Sequence, residues 1–484
     1  MILAIDQGTT GTTVLLVSDE GVIIDRAYLE ISQYYPRPGW VEHDAEEIFQ
    51  SVVTLSSEIL DRTSEAPRAI GITNQRETVV LWDRKSGEPV HPAIVWQDRR
   101  TADICRQLKP AESLFRERTG LFLDPYFSGT KLAWLLDLNS KLRLAAERGD
   151  LLAGTIDTWL VWRLTGGAAH VTDITNASRT LLCNIHTGDW DETLLKELNL
   201  PRALFPEIHA SRFGFGETHI AGLPNGIPIS GIAGDQQAAL FGQACIRPGL
   251  VKCTYGTGCF LLSFTGEDDS IPSDPILVTS AATPTGEPAF AREGSVFNAG
   301  STVQWLRDEM KLIGSSEETE AIARSIPDTS GVFVVPAFTG LGAPYWDADA
   351  RGTILGLTRG TGRAQVVRAA LESIAYQTAD LIGIPSLSEN LTELRVDGGA
   401  SQNDFLMQFQ ADLLGVPVNR PLDIETTALG AAYLAGLETG VWSDMSEIEQ
   451  LRQEDRIFEP RISSDEREHL MQGWQDAVKK VLTR

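Results

Sequence analysis

Apolar and polar positions divide the start of the chain into strands, corners and a helix. MILAI (1–5) is wholly apolar, and VLLV (14–17) follows it after the polar stretch DQGTTGTT (6–13). With Ser18-Asp19-Glu20-Gly21 as a turn and VIIDRAYLE (22–30) as a third strand, this reads as an antiparallel meander whose first corner is rich in Gly and Thr. From Asp44 to Thr63 the apolar residues Ile48, Val52, Leu55 and Ile59 recur at helical spacing. Asp44 or His43 stands at the start of that helix, and acidic residues fill its first turn, where the helix dipole favours them. AIGIT (69–73) and TVVLW (78–82) return to strand character around Asn74-Gln75-Arg76-Glu77.

The opening pattern comes back near residue 250. VKCTY (251–255) is a strand, Gly256-Thr257-Gly258 a tight corner and CFLLSF (259–264) a strand again. Strand, Gly/Thr corner, strand therefore heads each half of the chain, which predicts two similar domains, 1–245 and 246–484, joined by a short linker near residue 245. A third corner, Gly398-Gly399-Ala400, follows the strand ELRVD (393–397) and precedes a helix beginning near Asn403. Strand ends of this kind are where α/β sheets place ligands.

Length agrees with more than one domain, since 484 residues exceed what a single core holds. The hydrophobic fraction of 42% is that of a globular protein. Lys and Arg number 41 against 66 Asp and Glu, a formal net charge of −25. So acidic a chain argues against nucleic acid and anionic membrane as partners. The five cysteines include no Cys-x-x-Cys pair and the seven histidines are scattered, which argues against a disulfide framework and a zinc site. No signal peptide and no apolar run of membrane-spanning length is visible, so the expected location is the cytoplasm, with no integral membrane segment.

Several residues carry candidate chemistry. Glycine lets backbone N–H groups approach an anion, so the corners at 8–11 and 256–258 are candidate phosphate cradles. Asp6, at the end of the first strand, stands where a Mg²⁺-phosphate complex needs a carboxylate. IPISGIAGDQQAALFG (227–242) runs from an apolar strand through Gly234-Asp235-Gln236 into a helix, and Asp235 is either a helix N-cap or a general base at a strand end. Arg76 and Glu77, adjacent charges on a turn, are either solvated or a fixed donor and acceptor for a polyol. Trp96, Tyr126 and Phe260 read as core aromatics or as ligand walls. Neither a Walker loop nor a Rossmann fingerprint occurs.

DQGTT (6–10), GITNQRET (71–78), IVWQDRRT (94–101), DPYFSGTKLAWLLD (124–137), GIAGDQQAALFGQ (231–243), TYGTGCFLL (254–262), AGSTVQWLRD (299–308), PAFTGLGAPYWD (336–347) and DGGASQNDFLMQFQADLLG (397–415) together resemble the glycerol kinase branch of the FGGY carbohydrate kinases. These belong to the actin–hexokinase–heat-shock-70 ATPase superfold. The resemblance runs in order from residue 2 to about residue 440. It implies an α/β fold of two actin-like, ribonuclease H-like domains of duplicated ββαβαβα plan, with ATP and polyol meeting in the cleft between them.

By position, the resemblance implies that Arg76, Glu77, Tyr126 and Asp235 hydrogen-bond the hydroxyls of glycerol, with Asp235 as the base. Trp96 and Phe260 pack on the carbon backbone and Gln236 lies beside the site. Thr9, Thr10, Gly11, Gly256 and Thr257 line the phosphates, and Gly300, Gln304, Gly399 and Asn403 the far side of the nucleotide. Asp6 helps hold Mg²⁺ through water. The implied reaction is ATP-dependent phosphorylation of glycerol to sn-glycerol 3-phosphate, and the expected assembly is a homodimer or homotetramer.

Three departures qualify the resemblance. Thr13 stands where family members commonly have an arginine near the transferred phosphate. Pro224-Asn225-Gly226 replaces the Gly-Thr-Arg loop through which enteric relatives bind an inhibitory sugar bisphosphate, so that inhibition is not expected. His219 lacks the Tyr-His-Phe context of relatives activated by histidine phosphorylation. Two other readings stay open: a kinase for a related polyol such as erythritol or threitol, and a non-catalytic actin-like nucleotide-binding protein, toward which Thr13 leans.

Overall fold

The structure is a computed structural model that describes residues 1–63, 65–347, 349–389 and 391–483. The opening meander is present as β1 (Ile2–Gln7), β2 (Gly11–Val17) and β3 (Ile23–Glu30), each antiparallel to the next. Helix α1 (Ala45–Asp61) follows, capped by the Asp44 carboxylate, which accepts from the N–H groups of Glu46 and Glu47. Its apolar stripe, Ile48, Val52, Leu55 and Ile59, is buried in the first core. The chain then forms β4 (Ala69–Asn74), β5 (Arg212–Glu217) and β6 (Pro228–Gly234), and α2 (Asp235–Gly242) leaves directly from β6. The sheet order is β5-β6-β4-β1-β2-β3.

Between β4 and β5 a long insertion contributes Val79–Asp83, Ala93–Ile94 and Leu151–Thr155 to a small sheet that Glu42–His43, just before α1, completes, with an apolar core of its own. This insertion carries Trp96 and Tyr126.

The second half repeats the first. It contains β7 (Leu250–Tyr255), β8 (Cys259–Gly266), β9 (Leu277–Ser280), β10 (Phe290–Val296), α3 (Gly300–Asp308), α4 (Arg363–Ile382), β11 (Glu393–Asp397), α5 (Asp404–Leu414), β12 (Val418–Pro421), α6 (Thr426–Glu438) and β13 (Glu454–Phe458). The order is β9-β10-β8-β7-β11-β12-β13. Read from β5 to β3, the first sheet pairs antiparallel, parallel, parallel, antiparallel, antiparallel. Read from β13 to β10, the second pairs in the same succession. The repeat that the sequence signals only at its corners is thus a duplication of the whole sheet, with β9 as an added edge.

Helix α6 crosses between the halves. Its residues Ala428, Leu429, Ala432 and Ala435 share a core with Ile2, Ala4, Ala69 and Ala233 of the first sheet. Glycines make the approach possible: a methyl on Gly430 would lie 1.9 Å from the Ala238 carbonyl oxygen, and one on Gly242 would lie 2.0 Å from that of Thr426. The same seam reaches the third corner, because the Asp397 carboxylate accepts from Thr426 Oγ1 at 2.6 Å and Gln243 Nε2 at 3.0 Å. Among the described residues no helix is long and apolar enough to cross a membrane.

Candidate active site

Strands β1, β4 and β6 are parallel neighbours, so their carboxyl ends open on one edge of the sheet. Register sets Asp6 beside Thr73 and Gln7 beside Asn74, with Gly234 on the other side of Asn74. Asp6, the turn Gln75-Arg76-Glu77 and Asp235 therefore gather at one place from positions far apart in sequence. The Asn74 amide pins the turn by exchanging hydrogen bonds with Asn176 at 2.9 and 3.1 Å.

Arg76 and Glu77 are not solvated surface charges. Their side chains are each 2% exposed, and Glu77 takes the left-handed backbone conformation, φ 63°, that a residue with a Cβ adopts at a cost. Arg76 forks onto Glu293 of β10, Nη1 to Oε2 at 2.6 Å and Nη2 to Oε1 at 3.0 Å. Nη1 also donates to Gln237 Oε1 at 3.2 Å, and Nε lies 3.1 Å from Asp235 Oδ1. Arg179 closes the ring, donating from Nε to Glu77 Oε1 at 2.7 Å and from Nη2 to Glu293 Oε1 at 3.1 Å. Asp235 is the first residue of α2, with Gly234 in the cap position, so its role is not that of an N-cap.

The two buried glutamates respond in opposite directions. Burial raises both, but Glu293 receives three guanidinium hydrogen bonds, and Arg179 and Arg76 outweigh the desolvation to hold it at about 2. Glu77 receives one such bond, so burial wins and its carboxyl sits above the usual range.

Trp96 and Tyr126 meet edge to face, with centroids 5.5 Å apart, beside this network. The Trp96 indole Nε1 donates to Thr9 Oγ1 at 2.8 Å, which joins the aromatic wall to the first corner. In that corner every carbonyl is held from behind. Gly8 O accepts from Gln7 and Gln75, Thr9 O from Gln33, Thr10 O from Ile31 N and Gly11 O from Gly8 N. The oxygens that would repel an anion are thereby engaged, as an anion-binding corner requires.

The second corner is built alike. The Gly256 and Thr257 carbonyls accept from the N–H groups of Ala299, Gly300 and Ser301 at the start of α3, while Gly256 and Thr257 themselves are exposed. Gly300 packs so closely that a methyl there would lie 2.6 Å from Gly256 O. Gln304, one turn along α3, is exposed. At the third corner Gly398 has φ +81° against Tyr255, whereas Gly399 faces open space. Asn403 caps α5 through Leu406 N at 3.0 Å and donates to Thr319 Oγ1 at 3.1 Å.

Gln236 is held by a residue of the other half: Lys252 Nζ donates to Gln236 Oε1 at 2.7 Å and to Thr254 Oγ1 at 2.8 Å. Burial pushes the Lys252 ammonium below its ordinary range. Phe260 pairs with Thr254 across β7 and β8 and is half-buried. Asp6 is half-buried at the end of β1, and desolvation followed by the charges of Asp235 and Glu425 pushes it up to about 8. Thr13 is its direct partner on β2, and Arg26, bound to Glu425 at 2.6 Å, is the guanidinium whose charge opposes the rise. Two surface cavities, of about 590 and 530 Å³, lie away from these residues.

The family model for the N-terminal domain of FGGY carbohydrate kinases matches residues 1–242, and that for the C-terminal domain matches 251–439. The chain belongs to the FGGY family of carbohydrate kinases. A glycerol kinase 2 of Thermotoga maritima is 53% identical to this FGGY chain over 99% of the chain and 98% of the relative. A glycerol kinase of Halorhodospira halophila is 55% identical over 99% and 96%. Among solved structures, Plasmodium falciparum glycerol kinase with ADP superposes with a TM-score of 0.94 at 38% identity, covering 100% of this chain and 98% of that one. These matches accord with the duplicated actin-like architecture.

Sequence reasoning missed four members of the site: Arg179, Glu293, Gln237 and Lys252. Lys252 and the pair Arg292-Glu293 were findable, because each puts charge inside an otherwise apolar or small-residue strand. Such charges survive burial only with partners.

Proposed function

We propose that this FGGY kinase transfers the γ-phosphoryl group of ATP to a terminal hydroxyl of glycerol, giving sn-glycerol 3-phosphate and ADP. One observation carries the choice of base. Of the carboxylates around Arg76, Asp235 is 31% exposed while Glu77 and Glu293 are 2% exposed, so Asp235 is the most accessible base for an incoming hydroxyl. As the hydroxyl oxygen attacks the γ-phosphorus, Asp235 takes its proton and the bond to the ADP oxygen breaks.

Arg76, Glu77, Tyr126 and Gln236 are proposed to bind the hydroxyls, and Trp96 and Phe260 to cover the carbon chain. Thr9, Thr10, Gly11, Gly256 and Thr257 are proposed to take the phosphates through the two corners, with Gly300, Gln304, Gly399 and Asn403 beyond them. The halves 1–245 and 246–484 act as jaws, except that α6 belongs to the second by number and packs on the first. Closure excludes water as a competing acceptor.

Asp6 would help hold Mg²⁺: burial and then the charges of Asp235 and Glu425 push its carboxyl up to about 8, and a cation beside it would offset those charges. Among the described residues no group of three or more acids or histidines forms a metal cage, which suits an ion held mostly by water and phosphate. Bound there, Mg²⁺ would offset charge on the transferring group. The five cysteines are all buried and unpaired, which supports a reducing, cytoplasmic setting. The exposed Ile24, Tyr28 and Leu29 on the edge strand β3 support a homodimer or homotetramer.

Polyol-dependent ADP release, measured across glycerol, erythritol and threitol, tests the reading. Glycerol should show the highest kcat/KM. A better rate with erythritol overturns the substrate, and release that no polyol stimulates overturns the kinase reading.

A further inference from the structure

Two charged residues that no substrate role accounts for lie fully buried behind the proposed polyol site. Glu293 comes from β10 of the second sheet, yet all three of its guanidinium bonds go to Arg76 and Arg179 of the first half. Arg179 follows the short helix Ile174–Ala177 and holds Glu77 by its carboxylate. Neighbouring contacts run across the same junction: Thr279 Oγ1 on β9 receives Gln237 Nε2 at 3.0 Å and pairs with Ser178 Oγ at 3.0 Å.

Donor counting shows what this does to Arg76. Nη1 uses both hydrogens, on Glu293 and Gln237, and Nη2 uses one on Glu293. Nε is taken up by Asp235 at 3.1 Å, and one Nη2 hydrogen is left. Without the fork to Glu293, the guanidinium would turn its bidentate edge onto Asp235, the nearest exposed carboxylate.

We infer that Glu293 and Arg179 are positioning residues for the polyol site: Glu293 holds the Nη groups of Arg76 so that only its Nε meets Asp235, Arg179 holds Glu77, and the second half must be seated for either to act. This rests on the polyol-kinase reading above. Its consequence is that polyol recognition by the first half is assembled only in contact with β10, which ties binding of the acceptor to the closed relation of the two halves.

Glu293→Gln tests it. The cluster holds Arg76 and Arg179 against Glu77, Glu293 and Asp235, so the change takes its formal charge from −1 to 0 and leaves no cation in excess. Wild-type turnover of glycerol is measured first, and its absence with every polyol sinks the reading and the inference together. With wild type active, Glu293→Gln should raise the KM for glycerol about tenfold or more, lower kcat, and leave the KM for ATP within about twofold. Glu293→Asp, which keeps the charge, should recover part of the loss. An unchanged glycerol KM overturns the inference while the kinase reading stands. So does a rise in both KM values together with a fall in unfolding temperature, which marks a merely structural role. If Glu293→Gln fails to fold, Arg179→Lys, which keeps charge but loses the fork, must show the same split between the two KM values.

Discussion

The indole nitrogen of Trp96 donates to the hydroxyl of Thr9 at 2.8 Å, so the aromatic wall beside Arg76 and the first glycine corner form one hydrogen-bonded unit. The proposed acceptor and phosphate sites would be coupled through this bond within the first half alone. Trp96→Phe keeps the ring face and removes the donor. A lost bond of about 1 kcal/mol corresponds to roughly a fivefold effect. Steady-state kinetics should show KM rising by about that factor for glycerol and for ATP together, whereas a change confined to glycerol would show that the two sites are independent.

The first corner is also held by a histidine. His43 Nε2 donates to Gln33 Oε1 at 2.7 Å and its Nδ1 accepts from Gln75 Nε2 at 3.3 Å, and those two amides hold the Thr9 and Gly8 carbonyls. Burial lowers His43 from 6.5 to about 4. Because the unfolded chain binds the proton more readily between those values, stability is full above pH 6.5 and falls as pH drops toward 4, by about 3 kcal/mol at most. Urea midpoints measured from pH 7 to 4 should fall less steeply in His43→Gln. Parallel curves would assign the acid sensitivity to other groups, such as His170, which burial also lowers to about 4.

The seam between α2 and α6 gives a packing prediction. At Gly430 an added methyl meets backbone at 1.9 Å, which no rotamer change relieves. Gly430→Ala should cost about 2 kcal/mol or more in denaturant unfolding. A loss below about 0.5 kcal/mol would mean that the helices separate freely.

Thr13 faces Asp6 across the ladder between β1 and β2, on the strand that leaves the first corner. Arg26 is already engaged by Glu425. Thr13→Arg should therefore supply a missing cation and lower the KM for ATP by about threefold, the scale of a partly exposed ion pair. No change in that KM would mean that existing groups already meet the phosphate's charge.

Much of this architecture was legible in the residues. Apolar runs ending in Gly/Thr corners marked β1, β2, β7 and β8, and helical spacing with Asp44 in front marked α1. Asp6 and Asp235 stood out as carboxylates at strand ends, and Arg76-Glu77 as adjacent charges on a turn between strands. The partners themselves were not legible. Arg179 and Glu293 are separated from Arg76 by more than a hundred residues, and no local periodicity encodes which strand of a duplicated sheet will face which turn. The crossing of α6 was hidden for the same reason. Nothing local in Thr426–Glu438 says that the sheet it covers begins at residue 2.

The most direct measurement is formation of glycerol 3-phosphate by wild type and by Asp235→Asn under saturating ATP, Mg²⁺ and glycerol. Wild type should turn over, and Asp235→Asn should be slower by about 10² to 10⁴-fold, the worth of a positioned general base. Turnover by Asp235→Asn within about fivefold of wild type would contradict the assignment of the base, and with it the site built around Arg76.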